Sequence, residues 1–245
     1  MLYIHKILLI SHIVAGSIAL LLFWAPMLAK KGSPLHRRTG NYYRLLLQGV
    51  AMSGVLMCAM VLVDPAYFKA DYYGQGKDPA LVSAEIRSFS TFLGLLSLLS
   101  WVSIRQAVLA LQAGPARLAL RRLPHIVPLV LLLVLACYVL FLGIRGAQPL
   151  FIAFSGVSLV AGSGMLWFIF CRQVSRMAIL REHIGGMLGS AIAVYTAFSA
   201  FGGRDLLGLS MQGQLISWLA PSVIGVLLIV GYNRQYQDKP LRTQG

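Results

Sequence analysis

Acidic side chains are scarce in this sequence: seven Asp and Glu against 21 Lys and Arg in 245 residues. Charged residues together reach only 11%, where a soluble domain carries about 25%, so an ordinary soluble fold is excluded. Cysteine is also sparse. Cys58, Cys137 and Cys171 form no CxxC pair, which argues against a disulfide framework or a thiolate metal site. No phosphate loop, GxSxG elbow or HExxH pair occurs, and no residue is singled out for catalysis. The long apolar runs carry no Asp, Glu, Lys or Arg well away from their ends, which argues against a carboxylate-coupled transporter. The last run has no lysine, so a retinal Schiff base is excluded there.

What is abundant is apolar surface, at 58% of residues. About 20 apolar residues are needed to cross the hydrocarbon of a bilayer. Seven runs meet or approach that length: residues 7–28, 45–63, 88–104, 124–144, 150–170, 183–201 and 214–232. They predict an all-α polytopic bundle, a single integral membrane domain over 1–245. The one long connection, 64–87, holds Asp64, Asp71, Asp78 and Glu85 with Tyr67, Phe68, Tyr72 and Tyr73, a mixture suited to the membrane interface. Shorter basic turns are predicted at 105–123 and 171–182, with a short loop at 202–213. Ser33 followed by Pro34 reads as an N-cap and first helical position, so the second helix is predicted to start well before residue 45.

The net charge of +14 is not spread evenly. The connections after the first, third and fifth runs and the tail hold fifteen of the 21 Lys and Arg. Such a bias predicts the N-terminus outside and the C-terminus in the cytoplasm. The basic loops are expected against anionic lipid headgroups rather than nucleic acid, because they lack interleaved aromatics.

Small residues recur where helices are expected to meet. The sixth run has Gly185, Gly189, Ala193 and Ala197 at four-residue spacing; the second has Gly49 and Ser53. Close helix packing explains such stripes, and room for a flat cofactor is the alternative.

Histidine supplies the remaining candidate chemistry. His12 lies within the first run, and His36, His125 and His183 stand at the cytoplasmic starts of the second, fourth and sixth. Arg37, Arg122 and Arg181 are their basic neighbours, suited to haem propionates or a phosphate-bearing ligand. His125 and His183 should lie at nearly equal depth, which makes them the preferred pair of axial ligands for a haem b iron; Met187, one turn from His183, is an axial or shielding candidate. The competing reading makes all these rings interfacial spacers bonded to headgroups or loop carbonyls.

Three groups of residues also carry a family resemblance. His12 with Gly16, the connection Lys31-Gly32-x3-His36-Arg37-x2-Gly40-x2-Tyr43, and His183-x3-Met187-x-Gly189 followed by Thr196-Ala197-Phe198 resemble a family of bacterial multi-span membrane proteins known as a domain of unknown function. The resemblance covers most of the chain and implies an inner-membrane protein without an established reaction. The histidine layout is loosely similar to membrane di-haem b-type cytochromes. It departs from them because only His12 is deep, where those proteins stack two ligand pairs at two depths. Three functions follow as expectations: binding of a lipid, quinone or partner subunit within the bundle; haem-based redox chemistry; or small-molecule transport.

Overall fold

The structure is a computed structural model, and it describes residues 1–74, 76–202, 208 and 210–236. It contains seven helices long and apolar enough to cross a membrane, and no strand among the described residues. They are α1 (Leu2–Leu28), α2 (Pro34–Val63), α3 (Pro79–Ala113), α4 (Leu123–Arg145), α5 (Pro149–Phe170), α6 (Arg176–Ala197) and α7 (Met211–Gln235). The predicted seven-helix class is what the chain forms. The expected loop 202–213 and the tail fall largely outside the described residues.

Helix starts follow local chemistry. Ser33 caps α2, its hydroxyl accepting from the His36 N–H at 3.2 Å, with Pro34 at the first helical position. Ser175 and Ser210 cap α6 and α7 in the same way. Asp64 caps a four-residue helix, Pro65–Phe68, and Asp78 accepts from Ala80 N–H at the start of α3. α1 breaks at Phe23 because Pro26 has no N–H to give the carbonyl four residues back, and its ring crowds that turn.

Two predicted turns are shorter than expected. The turn predicted at 105–123 contracts to 114–122, because the half-buried Arg105 lies on α3 without interrupting it. Gly114, at a φ of +57°, and Pro115 stop the helix instead. The turn predicted at 171–182 contracts to 171–175, where Ser175 opens α6. Part of the predicted 64–87 connection is helical too, including the first turns of α3 from Pro79.

The chain sorts into two compact units. The first comprises Met1–Val102 and Pro128–Ser163. In it α1 lies along α2, with the fully buried Tyr43 ring 5.8 Å from Phe23. Phe92 of α3 is also fully buried, stacked on Phe151 at 4.7 Å and edge-on to Phe154. Gly54 lets α2 approach Ser97, and Gly162 of α5 accommodates Leu133 of α4.

The second unit comprises Ser103–Val127 and Gly164–Gly245. Here α6 packs against α7 through Gly225 and Ile192, and against α3 through Gly186. A β-carbon on Gly186 would lie 2.7 Å from the Ala107 Cβ and 2.7 Å from the Ser103 carbonyl oxygen. The stripe predicted for packing behaves differently: Gly185 and Gly189 have nothing within 4 Å of an added Cβ, and neither has Gly49. The close face of α6 lies one residue on. One position turns a helix by about 100°, which is enough to exchange a packed face for an open one.

Candidate functional site

Basic side chains close the C-terminal ends of three odd-numbered helices. Lys31 Nζ donates to Met27 O at 2.6 Å and to Pro26 O at 3.3 Å, at the end of α1; partial burial lowers its pKa. Arg117 Nη1 donates to Phe168 O at 2.6 Å and Arg121 Nε to Ile169 O at 3.3 Å, at the end of α5. Arg181 Nη1 donates to Tyr236 O at 2.8 Å, at the end of α7. The last carbonyls of a helix have no partner within it and carry its negative pole, so cations belong there. These side chains are therefore helix caps.

His12 and His36 lie in the first unit. His12 Nδ1 is 2.9 Å from Ser53 Oγ, whose own hydrogen goes to Val50 O, so the imidazole donates. His36 Nδ1 donates to Pro26 O at 2.9 Å, which makes it another cap of α1. Arg37 is exposed beside it.

The second unit brings His125 and His183 onto consecutive residues of α3. His183 Nδ1 donates to Ala107 O at 3.0 Å. His125 is 1% exposed, and its Nε2 is 2.6 Å from the Oε1 of Gln106, which is 0% exposed. The other end of the same amide donates to Glu182 Oε1 at 2.8 Å. The result is a chain from α4 through α3 to α6: imidazole, amide, carboxylate. An amide oxygen only accepts, so the His125 proton sits on Nε2 and Nδ1 holds the lone pair. That Nδ1 is buried without a hydrogen-bond partner, a situation that costs about 1–3 kcal/mol.

The two rings predicted as an axial pair thus present different nitrogens. His183, donating through Nδ1, leaves the lone pair on Nε2, the orientation common to metal-bound histidine. His125 does the reverse, with its lone pair enclosed. Among the described residues no group of three or more His, Cys, Asp and Glu could hold a metal ion. Met187 is half-buried, and its carbonyl accepts from Ser190 Oγ; Arg122 is exposed.

Arg181 joins a different feature. An open cavity of about 430 Å³ at the end of α6 and α7 is lined by Arg181, Val230, Asn233 and Arg234. The Asn233 Oδ1 is buried there without a hydrogen-bond partner. Along α7 from the cavity lie exposed Leu227, Ile224 and Val223.

Sequence reasoning missed Gln106, Glu182, Asn233 and Arg234 as site residues. The first two fall in the predicted turns 105–123 and 171–182. Their signal was the apolar, helix-forming run Ala107–Leu111 that continues past Arg105, and the adjacency of Glu182 to His183. No family model, curated protein or solved structure matches the chain. Its own geometry defines a multi-pass helical membrane protein.

Proposed function

We propose that this is a bacterial inner-membrane protein, N-terminus outside and C-terminus cytoplasmic, that binds an anionic phospholipid at the cytoplasmic ends of α6 and α7. One observation carries the reading: a single cavity joins two guanidinium groups, an unpaired amide oxygen and an apolar wall. Guanidinium groups suit a phosphate. The Asn233 oxygen needs a donor, which the hydroxyls of a glycerol-type headgroup supply. Ile224 lies ten residues from Arg234, about 15 Å along the helix, which is the depth of one leaflet. Basic pockets between helices on the cytoplasmic side are suited to such headgroups.

Native mass spectrometry of detergent-extracted protein tests this. Phosphatidylglycerol should stay bound in preference to phosphatidylethanolamine, and Arg234→Gln with Arg181→Ala should lower its retention about tenfold, the equivalent of about 1.4 kcal/mol. Arg234→Gln alone, at an exposed side chain, should give part of that loss without disturbing the α7 cap. Equal retention of the two lipids, or unchanged retention in the variants, overturns the reading.

The orientation has its own test. In a chain whose native cysteines are replaced by Ser, Asp71→Cys should react with an impermeant maleimide added to intact cells. Arg242→Cys should react only after permeabilisation. The opposite pattern reverses the topology and moves the lipid site to the outer leaflet.

A further inference from the structure

In the first unit, α1, α2 and α3 bring three polar side chains together inside apolar helices: His12, Ser53 and Ser97. Nδ1 of His12 donates to Ser53 Oγ at 2.9 Å, and Ser53 passes its own hydrogen to Val50 O at 2.8 Å. The second ring nitrogen, Nε2, is left with a lone pair. The Val50 carbonyl beside the ring cannot serve it, because a carbonyl only accepts. Ser97 is equally uncommitted. Ser100, on the next turn of α3, returns its hydrogen to Leu96 O at 2.8 Å, as a helical serine can. Ser97 Oγ makes no hydrogen bond among the described residues.

Gly54 of α2 joins the two. An added β-carbon there would meet Ser97 Oγ and lie 3.5 Å from Cε1 of His12, the ring carbon between its two nitrogens. The missing side chain leaves a notch between the imidazole and the hydroxyl. Both side chains are half-buried, and neither Nε2 nor Ser97 Oγ is enclosed as Nδ1 of His125 is. One turn from His12, Gly16 has nothing within 4 Å of an added β-carbon, so the space beside the ring is open as well. His12 lies ten residues from the start of α1 and Gly54 nine from the end of α2, about 14–15 Å along either helix. The hydrocarbon at that depth holds no water to complete either group.

The occupant is defined by what the two atoms lack. A ketone oxygen only accepts, so it suits Ser97 and leaves Nε2 bare. An ammonium suits Nε2 but brings a charge that is costly at this depth. A hydroxyl suits both, giving its hydrogen to Nε2 and accepting from Ser97. An aromatic hydroxyl donates more strongly than an alcohol, and its flat ring fits the open side at Gly16. We infer that His12, Ser97 and the bare Gly54 backbone form a binding notch for the reduced, quinol form of a membrane quinone. One quinol O–H donates to His12 Nε2, and the same oxygen accepts from Ser97 Oγ. Only hydrogen bonds form; no electron moves. The notch belongs to the first unit, whereas the phospholipid cavity belongs to the second.

Calorimetric titration of the full chain in phospholipid nanodiscs, under anaerobic conditions, tests this with duroquinol, duroquinone and decanol as probes. Duroquinol should bind at least tenfold more tightly than either of the others, because only it offers a strong donor and an acceptor on one oxygen. Ser97→Ala removes a hydroxyl that no other group uses, and should weaken duroquinol about tenfold while leaving the melting temperature unchanged. His12→Leu should abolish the preference for quinol over quinone; Ser53 keeps its bond to Val50 O in that variant. Equal binding of duroquinol and duroquinone, decanol binding as tightly as duroquinol, or unchanged affinity in Ser97→Ala overturns the inference. A Soret band in the purified protein that disappears in His12→Leu also overturns it, by giving Nε2 to a haem iron.

Discussion

Gly186→Ala should destabilise the protein far more than the same change at either neighbouring small position. The added methyl would meet the Ala107 Cβ and the Ser103 carbonyl oxygen, both at 2.7 Å. Neither is the end of a flexible side chain, so only separation of α6 from α3 relieves the clash. Overpacking of this kind costs about 1–3 kcal/mol. Separation also strains two hydrogen bonds next to the contact, Glu182 to Gln106 and His183 to Ala107 O, each worth about 1 kcal/mol. Gly185→Ala and Gly189→Ala meet nothing within 4 Å, and alanine is favoured over glycine in a helix by about 1 kcal/mol. Thermal unfolding of the three variants in one detergent should therefore give a sharp drop for Gly186→Ala and none for the other two. Equal melting of all three would show that α6 does not meet α3 through this face.

That contrast also marks where the sequence was legible. The seven helices follow from apolar run length, and the start of α2 from Ser33 and Pro34. The packed face of α6 does not follow, because four-residue spacing is satisfied by Gly185 and Gly189 and equally by Gly186 and Ser190. Only the neighbouring helix selects between them. Charge does not mark the helix ends. Arg105 and Glu182 sit on helices that continue through them, since a single charged side chain removes no backbone hydrogen bond. Placing the ends at those charges hides the polar chain, because Gln106 and Glu182 then belong to turns. The histidines were found by their rarity in apolar sequence. Which ring nitrogen each one engages was beyond reach, since the partners of His125 and His183 lie 19 and 76 residues away in sequence.

Arg117→Ala and Arg122→Ala remove the same charge from the same short loop, yet only the first should unsettle the protein. Arg117 is 3% exposed and adopts a φ of +53°, which turns its side chain back toward the end of α5. There Nη1 donates to Phe168 O at 2.6 Å and lies 3.0 Å from Cys171 Sγ. Truncation removes the charged donor from the Phe168 carbonyl at the negative pole of the helix and leaves it only the Cys171 thiol at 3.4 Å; a hydrogen bond from a charged donor is worth about 1.5–3 kcal/mol. Arg117→Lys should recover only part of this, because a single ammonium cannot reproduce the fork of a guanidinium. Arg122 is exposed, so its truncation should stay within about 0.5 kcal/mol. Loosening of the α5 end should also expose Cys171, so its maleimide labelling should quicken in Arg117→Ala and not in Arg122→Ala. Because the two variants are matched in charge, a difference between them belongs to packing and not to topology. Equal melting and equal labelling would remove Arg117 from the architecture of the helix end.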